Sequence, residues 1–204
     1  MKKFVLIFIC SLAFNICWGQ KPVNNSDQEG IKNTIIEFLR WYKQQATQPV
    51  ETIDTTKLRN YIIEWQEIDT LIKPTVNMIA VENYLDRLRA SHCLSETFIN
   101  NLRQYHQKIK SELKLVKASP KSDGIYSIPG LNFDVVFGSF EPEGIYDRYK
   151  SGIFRRISIV HNKAIVQFYI PQSSTYSNLK MLFTLTKEKG RWLIDYIGYY
   201  HNHP

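Results

Sequence analysis

The sequence predicts an α+β domain, with helices first and a curved, mostly antiparallel sheet second. Three observations carry that expectation. Apolar residues recur at spacings of three and four through the first half of the chain. The cluster Ser119-Pro120-Lys121-Ser122-Asp123-Gly124 then breaks the pattern as a turn. Beyond it, β-branched and aromatic runs come in pairs around short polar connections. Helices followed by hairpins bury their apolar faces best when the helices pack on the sheet.

The first element is not expected to belong to the fold. Lys2 and Lys3 precede an apolar run from Phe4 to Ile16, and Cys17-Trp18-Gly19 places small residues at the minus-three and minus-one positions before Gln20. That is the layout of a secretory signal peptide over residues 1–19. The run is shorter than the ~20 residues of a membrane span, so no transmembrane segment is expected. A mature chain beginning at Gln20 would be periplasmic or secreted. Neither Cys10 nor Cys17 follows a Leu-x-small pattern, so lipidation is not the favoured reading. Residues 20–29 are polar and read as a flexible leader, and residues 30–204 as one domain.

Each element has its own signal. Ile31, Ile35, Phe38, Leu39 and Tyr42 form one stripe, predicting a helix from about Gly30 to Gln45 with Asp27 or Ser26 at its cap. Thr55 to Leu71 is ambiguous between helix and strand. Leu58, Tyr61, Ile62, Trp65, Ile68 and Leu71 fit a helix that Pro74 would stop. Val81, Tyr84, Leu85 and Leu88 predict a helix to about Ala90. Ser95 reads as the cap of a further helix bearing Phe98, Ile99, Leu102, Tyr105, Ile109 and Leu113. Ile153 to Val160 and Ala164 to Ile170 flank His161-Asn162-Lys163 as one hairpin. Asn178 to Lys187 and Arg191 to Tyr199 flank Glu188-Lys189-Gly190 as a second. Strict alternation in the last strand puts Trp192, Ile194, Tyr196 and Gly198 on one face.

The net charge of +7 is spread along the chain, and the leader carries two of its lysines. No basic stripe or nucleic-acid motif accompanies it, so no nucleic-acid partner is expected. Cleavage of the leader would leave Cys93 as the lone thiol, excluding an internal disulfide. Its apolar setting points to a buried, inert side chain.

The helix Ile35-Ile36-Glu37-Phe38-Leu39-Arg40-Trp41-Tyr42 and the closing hairpin Leu182 to Asp195 carry a resemblance. In this order they resemble the nuclear transport factor 2-like (cystatin-like) superfamily, whose fold is an α+β cone. Tyr84-Leu85-Asp86-Arg87-Leu88, Phe98-Ile99-Asn100-Asn101-Leu102 and Asn132-Phe133-Asp134-Val135-Val136-Phe137-Gly138 are similar to a group of secreted Bacteroidetes-type proteins within it. That group has no assigned activity. The superfamily hosts enzymes, ligand carriers and interaction modules, and dimers through the sheet face are common in it. The resemblance therefore implies a fold and a homodimer option rather than a function.

Candidate chemistry is sparse. His92 and Cys93 are sequence neighbours, which on a helix point about 100° apart and do not form a catalytic pair. His201-x-His203 has a metal-like spacing without a third ligand nearby, so no metal and no cofactor are expected. Asp134 lies in the apolar run Leu131 to Phe137 and needs a partner, with Tyr126, Arg155 and Arg156 as candidates. It is either a base or ligand anchor in a pocket, or a loop aspartate capping its own backbone or closing a salt bridge. The second reading is favoured. Asp195 poses the same question, with Lys187 or Arg191 as partners across the hairpin. Trp41, Tyr42, Tyr61 and Trp65 from the first half can face Phe154, Phe168, Tyr169 and Trp192 from the sheet. Together with Asp134 they would line a ligand pocket, although core packing explains the same aromatics. Tyr196, Tyr199 and Tyr200 could form an exposed recognition patch instead.

No phosphate loop, zincin helix, Gly-x-Ser-x-Gly elbow or Cys-x-x-Cys is present. The leading expectation is an exported, non-catalytic module that binds a small ligand, a partner protein or a second copy of itself. The alternatives are a small hydrolase or isomerase using Asp134, and a periplasmic immunity or inhibitor protein.

Overall fold

Helix α1 spans Asn25–Ala46 in a computed structural model that describes residues 25–47, 62–123 and 128–200. The expected signal peptide, Tyr61, Tyr126 and the His201-x-His203 pair lie outside those residues. Ile31, Ile35, Phe38 and Leu39 are the buried stripe of α1, as their spacing predicts. The helix starts earlier than expected, so residues 25–29 are helical rather than leader. Asp27 explains this. It sits in the first turn, not at the cap, and its carboxylate accepts from Lys187 and, at 3.1 Å, from the Trp192 indole. Thr34 adds a 3.1 Å bond to the Trp192 carbonyl, so α1 is fastened to the last strand at two points.

In the ambiguous stretch from Thr55 to Leu71, residues 55–61 lie outside the described ones, and the rest is strand and turn rather than helix. Ile63–Ile68 is strand β1 and Leu71–Val76 is β2, joined by a turn in which Asp69 has φ 52°. The segment satisfies both periods, since Ile63 and Trp65 also alternate with Glu64 and Gln66. Pairing with β2, from Ile63 opposite Val76 to Ile68 opposite Leu71, selects the strand. Pro74 does not end an element but lies inside β2. The short β3, Ser119–Pro120, pairs only with Leu71 and Ile72, leaving that edge of β2 without a ladder at Pro74.

Helix α2, Met78–Arg89, is capped by Asn77, whose side chain accepts from the Ile79 and Ala80 amides. Helix α3, Glu96–Leu113, is capped by Ser95 as expected. Between them, Leu94 makes a parallel bridge to Ile194, with 2.8 and 3.0 Å bonds from the Ile194 amide to the Cys93 carbonyl and from the Ser95 amide to the Ile194 carbonyl. Cys93 is buried there, in a connecting loop rather than a helix. A single helical turn, α4 at Glu143–Tyr146, precedes the second sheet.

That sheet is an antiparallel meander of β4 (Ile153–Val160), β5 (Lys163–Ile170), β6 (Leu179–Glu188) and β7 (Arg191–Tyr199). The fold is therefore α+β with two antiparallel sheets, not one. Lys189 and Gly190, with φ 48° and 82°, make the turn between β6 and β7 that matches the strand twist. Val166, Phe168, Ile170, Met181, Phe183, Leu185 and Ile194 make a fully buried inner face. The expected alternation of β7 fails at Asp195. The pairing shifts between Leu185 opposite Ile194 and Thr184 opposite Tyr196, which makes Asp195 the extra residue of a β-bulge. Beyond it the faces exchange. Ile197 turns inward and Tyr196 outward, away from Trp192 and Ile194.

Gly152 precedes β4 with ordinary extended dihedrals, yet a Cβ there would lie within the ring of the buried Phe168. Gly152→Ala is expected to lower the unfolding free energy by about 1–3 kcal/mol, read from urea denaturation.

Candidate functional site

The segment from Ile128 to Ser139 holds the half-buried Asp134 among apolar residues. Its apolar run does not form a strand. The Asp134 and Ser139 backbones exchange bonds of 2.9 and 3.2 Å, closing a loop in which Gly138 takes φ 61°. Inside that loop, Asp134 Oδ1 accepts from the Val136 and Phe137 amides at 3.0 and 2.9 Å. An aspartate at this position stabilises a turn that its apolar neighbours would not make alone.

The other carboxylate oxygen accepts from the Tyr42 hydroxyl of α1. Tyr126 lies outside the described residues, and Arg155 instead stacks over Tyr169 at 4.8 Å. Among the described residues its side-chain partner is a tyrosine from a helix far away in sequence. Phe137 packs edge-on against Tyr42 at 4.8 Å, and Tyr146 of α4 lies 6.1 Å from it. Burial raises the Tyr42, Tyr84 and Tyr199 hydroxyls above the usual phenol range, and the Asp134 charge adds to the effect on each. Tyr146 is pushed up to about 12, chiefly by burial. These phenols stay protonated donors at neutral pH.

A fully buried polar side chain lies nearby. His106 of α3 is fully buried, edge-on to Tyr84 at 6.2 Å and Tyr105 at 5.9 Å. Its Nδ1 donates to the Leu102 carbonyl at 2.7 Å, which leaves Nε2 without a partner among the described residues. Tyr105 in turn donates to the Gly130 carbonyl at 2.7 Å, tying α3 to the same loop.

The structure brings together Trp41, Tyr42 and Asp134 of the expected pocket. Phe168 sits apart at the centre of the sheet, 4.9 Å from Phe154 and 6.1 Å from Phe183. Trp192 is fixed to α1 through Asp27, and Trp65 lies on the small sheet opposite Pro74. A groove of about 520 Å³ runs between β1, β2 and the end of α3, past Lys73, Asn77, Ile79, Lys110 and Lys114. None of the six expected pocket residues is among those that line it. Tyr84, Tyr146 and Tyr199 were missed as neighbours of Asp134. Tyr84 shares a helical stripe with Leu85 and Leu88, so its spacing announces burial and not a partner.

Asp195 meets Thr186 and, at 3.2 Å, Lys163 of β5, not Lys187 or Arg191. Cys93 is pushed up to about 11 by burial, which keeps its sulfur a thiol rather than a thiolate nucleophile. Among the described residues no three His, Cys, Asp or Glu side chains gather to hold a metal, and no helix is long and apolar enough to cross a membrane. No protein-family model, curated protein or solved structure matches the chain.

Tyr42→Phe takes the donor from one oxygen of Asp134 and is expected to lower unfolding free energy by about 1–3 kcal/mol. Asp134→Asn should be costlier, and the double variant should lose less than the two single losses together. Urea denaturation of all three checks this.

Burial lowers His106 below its usual 6.5, so the folded chain holds fewer protons there than the unfolded chain. Its neutral form stabilises the fold fully above that pH. The contribution falls as pH drops through 6.5, by at most about 1.4 kcal/mol per pH unit. Urea midpoints across this range should slope in the native chain, and the slope should flatten in His106→Leu.

Proposed function

We propose that this protein is an exported, non-catalytic interaction module that docks an acidic-rimmed partner protein on the outer face of its four-stranded sheet. What supports the reading is that face. Its residues follow from strand register: Ser158, Ile165, Thr184 and Tyr196 lie side by side, and Arg156, Gln167, Leu182 and Gly198 form the next row. Ile165 is 52% exposed and Tyr196 50%, whereas Val166, Phe168, Phe183 and Ile194 on the opposite face are fully buried. Exposed apolar side chains at the middle of an open sheet face suit an interface better than a solvated surface.

Charge selects the occupant. Arg156 stands in the second row and Arg155, Lys163 and Lys180 on the strands around Ile165 and Tyr196, and the Asp195 carboxylate is engaged by Lys163 and Thr186. A second copy stacked on this face would set like charges together, so the homodimer ranks below a partner with acids at its rim. The enzyme alternative is weakened by Asp134, whose oxygens are occupied by two amides and a tyrosine hydroxyl. The helix-before-sheet order accords with the nuclear transport factor 2-like resemblance, which stays part of this proposal.

Native mass spectrometry of the protein purified from its own host tests the reading. A partner at fixed stoichiometry is expected, its binding weakened at least tenfold by Ile165→Glu or Tyr196→Glu. A retained small molecule, or a homodimer that survives both substitutions, would overturn it.

A further inference from the structure

The groove beside the small sheet has no part in that interface. Three lysines line it, Lys73 from β2 and Lys110 and Lys114 from the last turns of α3. Lys73 donates at 2.9 Å to the Lys114 carbonyl, which holds the strand against the helix end. Lys110 and Lys114 form no ion pair among the described residues. Glu64, the one acid on the wall, accepts from the Asn77 side chain. The floor is apolar, with Pro74, Val76 and Leu113 buried.

Strongly exposed apolar side chains stand on the groove wall and directly after it in sequence. Ile79, on the groove wall, is 73% exposed, and Leu115, directly after Lys114, is 87% exposed. Val116 follows, also exposed, and then Lys117. Leu115 and Val116 are held in a fixed turn by amide bonds of 3.0 and 3.2 Å to the Glu112 and Leu113 carbonyls. Folding gains nothing from presenting a leucine and an isoleucine to water on rigid elements beside uncompensated cations.

From this juxtaposition we infer that the groove and its lip form a membrane-docking surface for anionic phospholipid. The lysines take the phosphate of a headgroup, and Ile79, Leu115 and Val116 enter the apolar layer beneath it. Cations and exposed aliphatic side chains on one surface are what interfacial binding requires, because neither term alone holds a protein on a bilayer. The volume, about 520 Å³, falls in the range of small-molecule sites and so admits a headgroup.

Flotation of the full chain with vesicles tests this. Vesicles of phosphatidylcholine and phosphatidylglycerol in equal parts should carry the protein at low salt, and pure phosphatidylcholine should not. Each of Lys110→Gln and Lys114→Gln should weaken partitioning by about fivefold. Leu115→Ser should weaken it while leaving the dependence on lipid charge intact. All three positions are at the surface, so unchanged urea midpoints separate lost binding from lost folding. Equal binding to both vesicle types, or binding indifferent to these substitutions, would overturn the inference. A titration with inorganic phosphate supplies the remaining arm. Saturable phosphate binding at the lysines without vesicle flotation would assign the groove to a free anion and overturn the membrane source.

Discussion

Everything else in this fold depends on covering one sheet face. The inner side of β5 to β7 presents Val166, Phe168, Phe183, Leu185 and Ile194, all removed from water. At roughly 25 cal/mol per Å² of apolar area, burying such a face outweighs any polar contact in the molecule. Helix α1 supplies the cover with Ile31, Ile35, Phe38 and Leu39. The polar contacts then decide how that cover is placed. Asp27 and Thr34 fix its start to Trp192, and Tyr42 fixes its end to the Asp134 loop. A helix anchored at both ends cannot slide, so the register of the core is set by a few directional bonds.

Much of this was legible in the chain, and the failures have physical causes. The two hairpins and three helices were readable because a single local signal dominated each: strand alternation around a turn, or an apolar stripe with a cap. The Ile63–Ile68 strand was obscured because its apolar residues satisfy periods of two and of 3.6 alike, and only a distant pairing chooses. The bulge at Asp195 is invisible to alternation by its nature, since an extra residue resets the phase. That hid the outward turn of Tyr196.

The candidate site was half legible. Asp134 stood out as a charge in an apolar run, and the structure gives it the backbone-capping role that elementary hydrogen-bond bookkeeping favours. Its tyrosine partner could not be read, because Tyr42 is 92 residues away and shares no pattern with it. The lysine groove was missed for a related reason. Lys73, Lys110 and Lys114 are scattered among many cations, and only the packing of α3 beside β2 collects them.

The bond between Cys93–Ser95 and Ile194 has a consequence for how the chain assembles. The helical connection that precedes α3 is completed by a strand at the far end of the sequence, and α1 is likewise closed by Trp192, 165 residues from Asp27. Closing such long loops costs chain entropy before any contact rewards it. Helices α2 and α3 pack on each other and α3 on β2, all close in sequence, whereas the main partner of α1 is β7. The contacts that seat α1 on the sheet are therefore among the most entropically costly in the fold to close.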